Sequence, residues 1–213
     1  STIRPGARSI STAEAAITFD VLTRSEHAVI LTDETENLER SRPKNSEVSY
    51  HRRIKILASD ARGLADIEIP FSRKQISRWW GFTIQPDGEL LELPFEMLSE
   101  LRLRRAGKKS ITVTRGALAG VRPGSVVDYG WAATTDAWYA PGLVQVQQPY
   151  PVNVWRYRWV TTGLGARAYA LNEGAKGLGL QATHEANGIT IEGREIPPSR
   201  LEPFGLPPFE SIG

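Results

Sequence analysis

Between Tyr50 and Tyr129 the chain breaks into short runs in which apolar and polar residues alternate, separated by turn residues, and this pattern constrains the fold more than any other feature. Successive side chains of a strand point to opposite faces. In Tyr50 to Leu57, Ile54 and Ile56 therefore share a face with Tyr50 and Arg52, and His51, Arg53 and Lys55 share the other with Leu57. One side is expected to meet a core and the other to meet water. After a turn at Asp60 to Gly63, Ala65 to Pro70 places Ile67 and Ile69 opposite Asp66 and Glu68. These two strands are expected to pair, with cationic and acidic outer faces side by side. Ile84 to Leu93 reads as a hairpin, because Pro86 presets the first turn dihedral, Asp87 can bond its own backbone and Gly88 tolerates a positive φ. A second turn at Arg122 to Ser125, built on Pro123 and Gly124, precedes the strand Val126, Val127, Tyr129 and Trp131. Asp87, Gly88, Pro123 and Gly124 are thus structural turn residues.

Ser11-Thr-Ala-Glu14 matches a capping box, which predicts a short helix through Ala16 and Ile17 within an N-terminal extension over residues 1–25. His27 to Thr32 reads as a buried strand, and the polar stretch Glu34 to Asn45 as a loop. Phe95 to Lys109 fits one amphipathic helix with Leu98, Leu101 and Ala106 on one side. Ser110 to Thr114 returns to strand composition. Val154 to Val160 alternates strictly, with Trp155, Tyr157 and Trp159 on one face and Arg156 and Arg158 on the other. Further strands are expected near 166–171 and 189–195. Many short strands with little helix predict an all-β fold, an antiparallel β-sandwich with few short helices over residues 26–195. Residues 196–213 are proline-dense and read as an extended linker towards a missing downstream domain.

Composition narrows the function. A chain of 213 residues buries about 70% of the surface it exposes when unfolded, so a sizeable core is expected. Its apolar runs fall well short of the roughly 18 residues that suggest a membrane span. With 26 basic and 24 acidic residues the net charge is +2, too small to attract nucleic acid through the summed field. Cysteine is absent, which excludes a disulfide scaffold, a thiolate metal site and a thiol nucleophile from these residues. No charged and apolar leader opens the sequence, and a start at Ser1 without Met suggests a trimmed chain.

Candidate chemistry is sparse. His27, His51 and His184 lack the close spacing that puts two imidazoles on one face, so no metal is expected, and His184 and Glu185 point to opposite sides of a strand. Gly163, Gly165, Gly174, Gly177 and Gly179 miss the spacing of nucleotide fingerprints, so no cofactor is expected, and Ser125 precedes a strand where a nucleophile elbow needs a helix. The basic run Arg102 to Lys109 lacks companion aromatics and suits a solvated face. Asp66 and Glu68 sit at i and i+2, but pairing with Arg53 or Lys55 explains them more simply than acid–base chemistry. No catalytic residue is assigned. For ligand binding the leading candidates are Trp155, Tyr157 and Trp159, flat rings in register that suit a sugar or peptide, although three rings on one strand face commonly build core. The pairs Trp79-Trp80 and Trp138-Tyr139 are alternative platforms.

Ala28 to Asp33, Tyr50 to Leu57, Ala65 to Pro70, Gln85-Pro-Asp-Gly88, Pro123 to Tyr129 and Gln148-Pro-Tyr-Pro-Val152 resemble, in order and spacing, the blocks of the N-terminal domain of unknown function that precedes the transglutaminase-like cysteine domain in bacterial proteins. Leu201 to Phe209 is similar to the segment leading into that catalytic domain. The resemblance implies a β-sandwich accessory module of a larger, exported protein, whose downstream partner would carry a Cys, His and Asp triad. The family often has an acid before the tyrosine, and Asp128 supplies it ahead of Tyr129. Two functions from different classes follow as expectations: a non-catalytic domain that docks or positions a downstream cysteine enzyme, and a carbohydrate- or peptide-binding sandwich.

Overall fold

The structure, a computed structural model, describes residues 2–18, 27–40, 46–103, 110–135, 144–162 and 177–199. They form an all-β protein of two layers. The larger sheet has eight strands in the order β10-β11-β9-β1-β2-β8-β4-β5, and the smaller has three in the order β3-β7-β6. In chain order the strands are β1 (Ala28–Glu39), β2 (Ser46–Ile56), β3 (Asp66–Ile69), β4 (Ile76–Ile84), β5 (Leu90–Glu92), β6 (Ser99–Leu103), β7 (Ile111–Ala117), β8 (Val126–Thr135), β9 (Val152–Thr161), β10 (Gln181–Glu185) and β11 (Gly188–Ile196). Most pairings are antiparallel; β1 and β9 run parallel, so the large sheet is mixed.

The main core lies between the layers. Ile54 and Ile56 of β2, Val127, Tyr129 and Trp131 of β8, and Trp155, Tyr157 and Trp159 of β9 share one buried cluster with Ile67, Ile69, Phe71, Leu98 and Leu118. The alternation of β2 determines which residues face inward, and cross-strand neighbours follow it: Ile54 sits opposite Ile30 and Val127. On the other face, Val29, Leu31, Phe82, Ile84 and Val126 form a second apolar cluster, against which Ile10 and Ile17 pack. That face is covered by the N-terminal segment. Its helix α1 (Thr12–Ala16) carries the reciprocal capping box of Ser11 and Glu14.

Both turns form as expected. Gly88 and Gly124 have φ of 91° and 90°, in the left-handed region that glycine occupies without strain. The Gln85–Glu89 backbone bond closes the β4–β5 hairpin. Four expectations need correction. β2 does not pair with β3; the 3-10 segment Ser59–Ala65 carries the chain across to the smaller sheet, where β3 pairs with β7 and Glu68 meets Arg115 rather than Arg53 or Lys55. The stretch from Glu34 is not a loop, because β1 continues to Glu39 with its polar side chains partnered across the sheet. Phe95 to Leu103 is not helical: a 3-10 turn at Phe95–Met97 leads into β6, whose alternating Glu-Leu-Arg-Leu pairs with β7. Finally, the sheet face carrying His51, Arg53 and Lys55 does not meet water. The expected strand near 166–171 and the pair Trp138-Tyr139 lie outside the described residues, and the strand that carries His184 and Glu185 is β10.

Candidate functional site

His51, Arg53 and Lys55 occupy alternate positions of β2 and are each 5% exposed. Charge at that depth requires partners, because an isolated buried ion loses several kcal/mol of hydration. Strand register supplies them. Glu34 on β1 lies opposite His51, and Asp128 on β8 lies opposite Arg53. The His51 imidazole bridges the two neighbouring strands: Nδ1 is 3.4 Å from Glu34 Oε2, and Nε2 is 3.2 Å from both carboxylate oxygens of Asp128. Asp128 has no exposed surface. Beyond the imidazole it accepts bonds from Arg53 Nη1 and from Trp80 Nε1, each at 3.0 Å.

The pairing extends in both directions as a chain of alternating charge. Towards the β10 edge, Arg156 donates to Glu34 at 2.7 Å and also to Glu192. A parallel row runs beside it, in which Arg158 donates to Glu36 at 2.9 Å and to both oxygens of Glu185, the latter also held by Thr190. In the other direction, Arg53 Nε and Nη2 grip the two oxygens of Glu14 at 2.6 and 3.2 Å, a bidentate geometry that guanidinium favours. The remaining Arg53 bonds go to backbone carbonyls of Ala7 and Ser9.

Electrostatics follow from the geometry. Burial alone would push His51 down, but its bonds to Asp128 and Glu34 outweigh that cost and raise its pKa to about 9. The bond from His51 holds the Glu34 carboxyl below the usual range despite its desolvation. Glu185 is pulled to about 2 by Arg158, with a contribution from Thr190. Lys55, penalised by burial, is lowered and donates to the Gly124 carbonyl at 2.7 Å. An imidazolium with a carboxylate on each nitrogen is a charge bridge. Its two ring nitrogens tie β1 to β8 through Glu34 and Asp128.

A second ion pair sits on the inner face. Arg52 donates to Asp33 at 2.8 Å and lies over the Tyr50 ring at 5.5 Å, beside Tyr129 and Trp131. Burial raises both tyrosine hydroxyls above their ordinary pKa.

The aromatic candidates are placed otherwise than a binding platform requires. Trp155, Tyr157 and Trp159 are 5%, 3% and 5% exposed and belong to the main core, with the Tyr157 hydroxyl accepting from Asn37 at 2.8 Å. Alternation did align them on one face, but that face is buried in the main core, so no flat ring surface is presented. Trp79 bonds the Leu93 carbonyl through its indole nitrogen, and Trp80 is committed to Asp128. Asp87 bonds Arg122 and caps its own turn, as a structural residue should. Among the described residues, no three of His, Asp and Glu are grouped so as to hold a metal ion.

The sequence pointed to Asp128 only through a resemblance and treated His51, Arg53 and Lys55 as solvent-facing. A signal was present. An acid inside the apolar run Val126-Val-Asp-Tyr129 must be buried and paired, and a strand face of His, Arg and Lys is the natural counter-charge.

No family model matches the sequence, and no curated protein matches it. Among solved structures, the chain is similar to a "putative protease" from Parabacteroides distasonis, with a TM-score of 0.66 and 16% identity over 84% of this chain and 38% of that one. It aligns more weakly with leukotriene A4 hydrolase from Saccharomyces cerevisiae, at a TM-score of 0.39 and 9% identity over 85% of this chain and 29% of that one. An M1 zinc metallopeptidase from Deinococcus radiodurans aligns at 0.28 and 10%, over 79% and 39%. The two weaker alignments carry no weight. The first establishes a shared fold and no shared chemistry, and in it the chain spans under two-fifths of the length of the protein it matches.

Proposed function

We propose that this chain is a non-catalytic accessory domain of a larger, exported, transglutaminase-like bacterial protein, in which it positions or docks a downstream cysteine enzyme domain. The observation that carries the proposal is the match of 84% of this chain to 38% of the Parabacteroides protein, in which the same fold is one part of a longer chain. The residue blocks from Ala28 to Val152 support it from the side of sequence. The chemistry of the chain is consistent with it: there is no cysteine, and the strongest cluster of ionisable groups is satisfied internally, with His51 locked between Glu34 and Asp128.

The test begins with the native reading frame. If it continues into a domain carrying Cys, His and Asp, the long protein and the same protein lacking residues 1–213 are compared for acyl-transfer and peptidase activity and for thermal midpoint. Residues 1–213 alone are expected to be inactive in both assays. Their removal is expected to lower the midpoint of the enzyme domain or to change its substrate range. A frame without such a domain, or turnover by residues 1–213 alone, overturns the proposal.

A further inference from the structure

The outer face of the large sheet is covered by a segment that takes no part in the sheet. Residues 2–18 contribute no strand to either layer, and α1 buries none of its residues. The segment crosses several strands. Thr2 bonds Glu36 of β1 through its backbone N–H and its hydroxyl, Ile3 accepts from Arg78 of β4, Arg8 pairs with Glu92 of β5 and covers the Phe82 ring, and Glu14 holds Arg53 of β2. Gly6 lies against Asp128 and Arg53 so closely that a Cβ there would collide with the carboxylate.

The floor beneath it differs from the main core. One half is charged: Glu34, Glu36, His51, Arg53 and Asp128. The other is apolar: Val29, Leu31, Phe82, Ile84 and Val126, with Ile10 and Ile17 seated on them. Uncovering the charged half allows water to replace the lost bonds, whereas uncovering the apolar half exposes Phe82 and its neighbours unless another chain takes the place of Ile10 and Ile17. The eight-stranded ladder is complete without the segment. Arg53 is recognised as a peptide ligand would recognise it, by a bidentate carboxylate from α1 and two main-chain carbonyls from the stretch that precedes it. A charged anchor beside apolar seats is the anatomy of a peptide-recognition site.

We propose that the outer face of the eight-stranded sheet is a peptide-binding groove read through Arg53, that residues 2–17 are its resident occupant, and that a peptide in trans binds there when it offers a glycine against Asp128, a carboxylate to Arg53 and aliphatic side chains to the cluster around Phe82. The groove is present in this chain whether or not a cysteine domain follows, and its failure would leave the accessory-domain proposal standing.

The experiment uses the full chain with the double substitution Gly6→Ala and Glu14→Gln, which expels the resident segment by the collision at Asp128 and removes its carboxylate. The probe is a fluorescently labelled synthetic peptide of residues 1–18, followed by anisotropy, and hydrogen exchange reports release of residues 2–17. The double variant is expected to bind the peptide saturably, and the wild-type chain at least tenfold more weakly, because its own segment competes. The same peptide carrying Glu14→Gln is expected to bind about 10- to 100-fold more weakly, the range for loss of a charge-assisted bond. No saturable binding by the released double variant overturns the proposal. So does equal binding of the two peptides, which would place the contact elsewhere. Residues 2–17 remaining as protected as β2 in the double variant would make them a permanent part of the fold and also overturn it.

Discussion

His51 should make the stability of this protein fall on the alkaline side of neutrality. Its imidazole faces Glu34 from β1 and Asp128 from β8, with Trp80 of β4 at 5.8 Å, Arg53 sharing Asp128, Arg156 sharing Glu34, and Gly6 of the N-terminal segment against Asp128. Only the imidazolium donates to both carboxylates; the neutral ring turns a lone pair towards one of them. The folded pKa is raised above the unfolded value, so the stabilisation is fully present below pH 6.5 and is lost as pH rises through about 9. A rise from 6.5 to about 9, at about 1.4 kcal/mol per tenfold change in proton affinity, corresponds to about 3 kcal/mol. Urea denaturation of the wild-type chain and of His51→Gln, at intervals between pH 6 and 10, isolates this contribution from other titrating groups. The wild type is expected to lose about 3 kcal/mol more than the variant across that window. Equal pH dependence of the two chains would refute the reasoning, and so would an imidazole resonance of His51 titrating near 6.5.

Three further outcomes follow from the same structure. Asp128→Asn removes the charge that Arg53 and His51 share in a site with no exposed surface, and is expected to cost about 3–5 kcal/mol in chemical denaturation. Gly6→Ala places a methyl group against the Asp128 carboxylate; it is expected to cost about 1–3 kcal/mol and to raise hydrogen exchange in residues 2–17 while leaving the amides of β8 protected. Trp155→Ala empties part of the main core and is expected to cost about 3–5 kcal/mol, seen as a fall in thermal midpoint; loss of glycan binding with an unchanged midpoint would instead mark a surface platform.

Much of the architecture is legible along the chain because it rests on local causes. The turns at Asp87-Gly88 and Pro123-Gly124, the capping box of Ser11 and Glu14, and the alternation of β2 and β9 arise from residues within a few positions of one another, where turn chemistry and side-chain direction decide. The same alternation correctly grouped Trp155, Tyr157 and Trp159 on one face, yet could not say what covered it. The helix expected over Phe95 to Lys109 is absent from its described part, Phe95 to Leu103, for a related reason: Ser99–Leu103 satisfies both periods, and pairing with β7 selected the strand.

The sequence by itself determined an all-β chain, its main turns and the shared face of Ile54 and Ile56 on β2. Only the tertiary structure decided that β3 joins a second layer, that β1 and β9 run parallel, and that the cationic face of β2 is buried beneath residues 2–17. Those outcomes depend on which strands become neighbours. Glu34 and His51 are 17 residues apart, and His51 and Asp128 are 77 apart, so the balance between hydration and ion pairing that makes the buried charges tolerable is settled only when distant segments meet.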